Sequence, residues 1–185
     1  MSTGSRILLE SAQLELTLRR LCHQLIENHD DFSDTCIIGV QSRGVLFSDQ
    51  LMKELQKILP EHRARYGKLD TTFYRDDFRA KGSPPEPART DIDFSVEGKK
   101  VVLVDDVLYT GRTIRAAMDA LLDYGRPERI ELLILIDRRF SRHLPIQPDY
   151  TGRKVDVILS ERVKVKWDEA GLGQVWIYSQ NEKKA

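Results

Sequence analysis

Residues 101–113 read VVLVDDVLYTGRT: four apolar residues, two adjacent aspartates, a three-residue spacer, and Thr-Gly-Arg-Thr just ahead of a helical pattern. No other stretch restricts the fold so tightly. An apolar run without alternation is the pattern of a strand buried on both faces, and hence of a parallel sheet covered by helices on both sides. Neighbouring strand residues point to opposite faces, so Asp105 and Asp106 would put a carboxylate into each half of a core, where an uncompensated charge is costly. The conflict is relieved if the strand ends at the acids and both leave the core at the sheet's carboxyl edge, where ligands of open α/β sheets bind.

The rest of the chain follows the same plan. Leu14, Leu18, Leu21, Cys22 and Leu25 recur at helical spacing between Ser11 and Asn28. Residues 36–40 (CIIGV) read as a buried strand, Gln41-Ser42-Arg43-Gly44 as the turn after it, and Leu46–Leu59 as a helix stopped by Pro60. A further strand is expected to end in LDTTFYRDD, residues 69–77. Beyond it KGSPPEPA opposes regular structure, so residues 76–93 are read as a long exposed arm or hairpin. After the turn Gly98-Lys99-Lys100 and the strand of acids, a helix carries Ile114, Ala117, Met118, Leu121 and Leu122 on one face and stops at Gly125 and Pro127. The strand Ile130–Ile136 then ends in Asp137-Arg138-Arg139. Residues 155–178 contain strand-like stretches that either complete the sheet or form a separate hairpin.

With 185 residues, 41% of them hydrophobic, the chain suits one α/β domain over 1–185, a mainly parallel sheet flanked by helices. The 29 basic and 29 acidic residues cancel, which argues against indiscriminate binding to nucleic acid or membrane, so partners must be sought in local clusters. Cys22 and Cys36 lie apart in apolar contexts and read as free core thiols of a reducing compartment. No apolar run reaches the roughly 18 residues of a membrane span, and the cytoplasm is the expected location. The four histidines and two cysteines form no recognised zinc spacing.

At the sheet edge the two acids can accept hydrogen bonds from vicinal hydroxyls or act around a hydrated divalent cation. A capping pair without a ligand is the alternative. Thr110-Gly111-Arg112-Thr113, at a helix start, offers hydroxyls and backbone N–H groups to a phosphate. Only Val107-Leu108-Tyr109 separates acids from cradle, so one ribose 5-phosphate can reach both. The G-x-x-x-x-G-K-[ST] loop is absent, and GVQSRG lacks dinucleotide glycine spacing, which disfavours nucleoside triphosphate cleavage and hydride transfer.

VVLVDDVLYTGRT resembles the ribose-phosphate signature of the type I phosphoribosyltransferases. IIGVQSRG, LDTTFYRDD, DDVLYTGRTIRAAMDALLDYGRP and LPIQPDYTG, in this order, resemble the bifunctional pyrimidine operon regulators and uracil phosphoribosyltransferases over roughly residues 10–178. The resemblance implies the type I phosphoribosyltransferase fold, with a flexible active-site arm about 76–93 and a small base-binding hood about 137–160. It assigns the ribose hydroxyls of phosphoribosyl pyrophosphate to Asp105 and Asp106, with Mg²⁺ directly or through water, and the 5-phosphate to Thr110, Gly111, Arg112 and Thr113. Pyrophosphate goes to Ser42, Arg43 and Gly44, with Arg75 clamping it as the arm closes. Tyr109 stands where purine-salvage relatives carry an acid, which favours a pyrimidine, uracil giving UMP.

The family pattern D-R-G-x-R-E-L-P-I is here D-R-R-F-S-R-H-L-P-I, one residue longer, with Arg139 in place of glycine and His143 in place of glutamate. Either the turn is rebuilt, or uracil binding and any adjoining RNA surface are altered. The resemblance also implies a homodimer or higher oligomer that binds pyrimidine operon leader RNA in response to UMP. Arg19, Arg20, His23, Arg138, Arg142, Arg153 and Lys154 are the candidate RNA contacts. An RNA regulator that keeps the site only as a nucleotide sensor, or a transferase acting on another base, are the alternatives.

Overall fold

The computed structural model describes residues 5–76, 88–158, 160–168 and 171–179. In chain order these form β1 (Ser5–Leu9), α1 (Ser11–His29), β2 (Thr35–Val40), α2 (Arg43–Ile58), β3 (Arg65–Leu69) and β4 (Lys100–Leu108). There follow α3 (Arg112–Leu121), β5 (Arg129–Arg139), β6 (Tyr150–Asp156), β7 (Glu161–Trp167) and β8 (Gly173–Ser179).

Five strands make one parallel sheet in the order β3-β2-β4-β5-β6. Val102 and Val104 of β4 pack with Leu21, Leu25, Phe47 and Leu51 of α1 and α2, while Val101 and Leu103 pack with Ile114, Ala117 and Leu121 of α3. Alternation is thus present in space although both faces are apolar, which is why the sequence shows only a continuous run. From β2 the chain crosses outward to β3, and from β4 it crosses the other way to β5 and β6. The switch point therefore opens a crevice beyond the carboxyl ends of β2 and β4.

A second, antiparallel sheet has the order β1-β8-β7. Its inner residues Leu9, Val163, Val165, Val175 and Ile177 join the α1–α2 side of the core. The question left open for residues 155–178 is thereby divided: β6 completes the parallel sheet, and β7 with β8 forms a hairpin that also recruits β1, a strand absent from the sequence reading. Of the segment 137–160 assigned to the hood, β6 belongs to the central sheet.

Other boundaries also differ. β3 ends at Leu69, and Thr72–Tyr74 form a 3-10 turn instead of continuing the strand. α2 begins at Arg43, taking in the Arg-Gly pair read as loop. β4 continues through both aspartates to Leu108, because β5 pairs with it as far as Asp137. Of the arm, residues 77–87 lie outside the described residues; Asp91 forms an antiparallel bridge with Lys68 of β3. Cys22 and Cys36 are buried free thiols, and burial, then the charge of Glu54, pushes the Cys22 thiol up to about 12. No helix among the described residues is long and apolar enough to cross a membrane.

Candidate active site

The crevice between β2 and β4 starts from a close backbone approach. A Cβ on Gly44 would lie 2.7 Å from the Val104 carbonyl oxygen and 2.8 Å from Asp105 Oδ1, so only glycine lets the first turn of α2 sit against β4. That contact holds Ser42 and Arg43 over the acids; the Gln41–Ser42 peptide bond is cis. Gly44 itself is buried beneath this loop.

Asp105 and Asp106 are 8% and 6% exposed, so the expected escape from the core does not occur. The continuing strand and the α2 turn enclose them. Burial, followed by the charge of Asp106, lifts the Asp105 carboxyl well above the usual carboxylate range. Burial lifts Asp106 as well, opposed by the Arg43 guanidinium. Asp105 Oδ1 accepts the Asp106 backbone N–H at 2.9 Å, which leaves acceptor capacity on both side chains. The pair is therefore primed to gain from incoming hydroxyl donors or positive charge.

Beyond the acids, Gly111 adopts a left-handed φ of 91° as the residue before α3. The Thr110 carbonyl accepts N–H bonds from His143 (3.0 Å) and Leu144 (3.2 Å), so the loop after β5 clamps the Thr-Gly-Arg-Thr turn. A cavity of about 250 Å³ lies in this turn between Asp105 and Thr113, and Arg75 closes it by donating from Nη1 to Thr113 Oγ1 at 3.2 Å. The main cleft, about 530 Å³, borders the same acids and adds Ser42, Arg43, Tyr109 and Arg138. Ser42, Arg43, Gly44, Arg75, Asp105, Asp106 and Tyr109–Thr113 are thus brought together at one edge. A larger groove of about 670 Å³ between α1, α2 and the β7–β8 turn lacks a phosphate cradle. Its carboxylate Glu54 is already held by Arg19 and Lys57.

The RNA candidates divide. Arg19, Arg20 and His23 lie on the exposed face of α1; Arg19 pairs with Glu54 (3.2 Å) and Glu15 (3.4 Å). Arg20 donates to the Gly152 carbonyl and Arg153 to that of Leu8, tying α1 and β1 to β6. Arg142 pairs with Asp137 and, with Lys154, borders a small cavity under Leu144–Pro148. Arg138 is corrected: it is only 5% exposed, its guanidinium 4.3 Å from the Tyr109 ring centroid, and it borders the cleft instead of an outer surface.

In the altered turn Arg139 is the last residue of β5 and pairs with Asp156 of β6 at 2.6 Å. Phe140 follows with a left-handed φ of 63°, its side chain 87% exposed.

Gln41, Glu161 and Arg162 also border the cleft and were missed. Gln41 adjoins the recognised turn, but nothing local in the sequence marks Glu161 and Arg162, because their position depends on the second sheet. Among the described residues no three His, Cys, Asp or Glu side chains converge as a metal cage. Two aspartates alone suit a cation such as Mg²⁺ that keeps waters and takes other oxygens from its ligand.

The phosphoribosyl transferase domain family matches residues 5–170. A bifunctional protein PyrR of Halalkalibacterium halodurans is 42% identical over 94% of this chain and 97% of its own length. One of Gloeothece citriformis is 46% identical over 85% and 88%. Among solved structures, a Trypanosoma cruzi hypoxanthine phosphoribosyl transferase matches with a TM-score of 0.67 over 94% of this chain and 90% of that one, at 16% identity, which supports the fold alone. The chain belongs to the phosphoribosyltransferase family, in the branch of the bifunctional PyrR proteins.

Proposed function

We propose that the chain transfers the 5-phosphoribosyl group of phosphoribosyl pyrophosphate to uracil, giving UMP and pyrophosphate, and binds pyrimidine operon leader RNA in a UMP-responsive way that promotes attenuation. The observation that carries the catalytic part is the junction of two buried carboxylates with a Thr-Gly-Arg-Thr phosphate cradle in one crevice. In this reading Asp105 and Asp106 accept the ribose hydroxyls, and the backbone and hydroxyls of Thr110–Thr113 hold the 5-phosphate at the start of α3. Ser42 and Arg43 face the pyrophosphate, and Arg75 reaches it from the base of the arm. Tyr109, backed by the Arg138 guanidinium, faces the base. Asp105 and Asp106 would hold Mg²⁺, directly or through water, and the ion would there supply charge neutralisation for the pyrophosphate oxygens.

The C1–oxygen bond to pyrophosphate breaks, the bond from C1 to uracil N1 forms, and the N1 proton leaves to solvent. The protein's part is positioning and electrostatics: acids that favour the positive charge developing on the sugar, and arginines that favour the leaving anion. The RNA part rests on likeness to the PyrR proteins and on the basic groups of α1, β6 and the loop after β5, in a cytoplasmic dimer or larger oligomer.

One assay tests the transfer: phosphoribosyl pyrophosphate and Mg²⁺ with uracil, orotate or hypoxanthine in turn, following pyrophosphate release. Release with uracil above the other bases is expected. No release with any base would leave a nucleotide-sensing regulator, and release with hypoxanthine alone would overturn the assignment of Tyr109. Binding to folded leader RNA, with and without UMP and across salt concentrations, tests regulation separately.

A further inference from the structure

The outer face of the β1-β8-β7 sheet is distinct from every surface used so far. Cross-strand pairing sets Arg162 opposite Tyr178, Lys164 opposite Trp176 and Lys166 opposite Gln174, while Val163, Val165, Val175 and Ile177 point into the core. Two rings in one strand thus lie beside three cations in the next. Trp176 and Tyr178 are 6.2 Å apart between centroids and 25° from parallel. Lys166 Nζ stands 5.3 Å from the first ring centre and 5.4 Å from the second.

Among the described residues Arg162, Lys164 and Lys166 form no ion pair, and neighbouring carboxylates are engaged elsewhere: Glu161 with Arg6, Asp156 with Arg139, and Glu10 with Gln174. Lysines alone on an edge strand such as β7 serve to deter strand pairing. That function does not account for two large, partly buried rings on the adjacent strand, aligned along it.

Rings two residues apart along a strand are spaced by about 7 Å, and each offers a surface on which an unstacked base can lie. Cations one strand away are placed to meet the phosphates linking those bases. A duplex keeps its base faces covered, and a second copy of the same face would oppose lysine with lysine.

We propose that this face binds unpaired nucleotides of RNA, Trp176 and Tyr178 stacking on successive bases and Lys164 and Lys166 holding the backbone. The proposal rests on the RNA-binding reading above and adds to it a second surface, separate from the basic groups of α1, β6 and the loop after β5. Arg162 and Glu161 also border the active-site cleft. A strand lying along β7 therefore reaches the mouth of the site where UMP forms, which gives nucleotide occupancy a direct route to RNA affinity.

The full chain carrying Trp167→Phe leaves Trp176 as the one fluorescent indole, since the sequence holds two tryptophans. An unstructured uridine-rich RNA should quench it, and duplex RNA should not. Adding Lys164→Ala with Lys166→Ala should weaken binding at least tenfold. It should also flatten the log–log salt dependence by about 1.4, each cation contributing about 0.7 on a single strand. Tyr178→Leu should weaken binding by about tenfold with the salt slope unchanged. Pyrophosphate release should be retained in these variants, which reports that they fold. If the double lysine variant binds RNA with the parent's affinity and slope, the RNA uses another surface and this proposal fails while the regulatory reading stands. If the parent binds neither unstructured nor folded leader RNA, both fail together. Unchanged RNA affinity with an altered sedimentation coefficient would assign the face to subunit contact and overturn the proposal.

Discussion

The two ends of the parallel sheet both bury carboxylates, and they compensate them in opposite ways. At the amino end Glu131 of β5 accepts from Tyr150 Oη at 2.7 Å and His29 Nε2 at 3.0 Å, and forms an ion pair with Arg129 Nε at 2.9 Å. The other ring nitrogen of His29 meets Thr35 Oγ1 at 3.0 Å, so each member of that network has its partner inside the protein. At the carboxyl end Asp105 and Asp106 are equally buried, yet their protein partners are few: the Asp106 backbone N–H and then Arg43 offset the burial of Asp105, and Arg43 leads in offsetting that of Asp106. A satisfied network fixes a fold; an under-satisfied one stores acceptor capacity for a ligand.

Breaking the satisfied end should have the largest effect on folding. Glu131→Ala removes the acceptor of two buried donors and the partner of the Arg129 guanidinium, which should cost about 3 kcal/mol in urea unfolding. Activity per folded molecule should survive, because the cleft lies at the other end of the strands. A loss of specific activity without loss of stability would erase the division between the two ends. At the carboxyl end the signs should invert. Asp105→Asn should lower turnover about 10²–10³-fold while raising stability near neutral pH by about 1–2 kcal/mol. The folded pKa of Asp105 is raised, so the native state binds a proton more tightly than the unfolded chain. Stability present below about pH 3.9 is thus lost as pH rises through the folded value. The asparagine variant lacks that loss, and its advantage should shrink as pH approaches 4. An advantage independent of pH would sink the explanation.

A smaller effect should follow at Gly44, which joins fold to site. Gly44→Ala forces its new methyl against Val104 and Asp105, costing about 1–3 kcal/mol and lowering affinity for phosphoribosyl pyrophosphate as the Ser42–Arg43 turn lifts away. Unchanged affinity with lowered stability would restrict Gly44 to packing. This residue also marks the limit of what sequence could provide. The signature around Asp105 and Thr113 was legible because strand, acids and cradle are contiguous, and chain order alone brings them to one edge. That Gly44 lies beneath the site depends on α2 crossing β4, which is a long-range packing fact. The depth of the acids was misjudged for the same reason: β5 covers them from one side and α2 from the other. Arg138 is an RNA-contact candidate in the sequence because its place over the Tyr109 ring depends on the fold, and the second sheet is hidden because β1 and β8 lie at opposite ends of the chain.

The smallest effect tests how completely the amino end is satisfied. Burial holds the His29 pKa below its usual value, with Glu131 opposing and the charges of Lys100 and Arg129 adding to the depression. The unfolded chain therefore binds a proton more readily than the fold. The stability due to a neutral His29 is fully present above about pH 6.5 and is lost as pH falls through the folded value. His62, also lowered by burial, adds in the same sense. His29→Gln keeps a donor toward Glu131 and an acceptor toward Thr35 but cannot take up a proton. Its stability should fall less steeply between pH 7 and pH 5.5 than that of the parent, by no more than about 1.4 kcal/mol per pH unit for one proton. His29 and Asp105 act with opposite sign, since the fold loses stability from His29 as pH falls and from Asp105 as pH rises. Parallel curves for the parent and His29→Gln would mean that Glu131 keeps the ring protonatable in place, and that the network tolerates the extra charge without loosening.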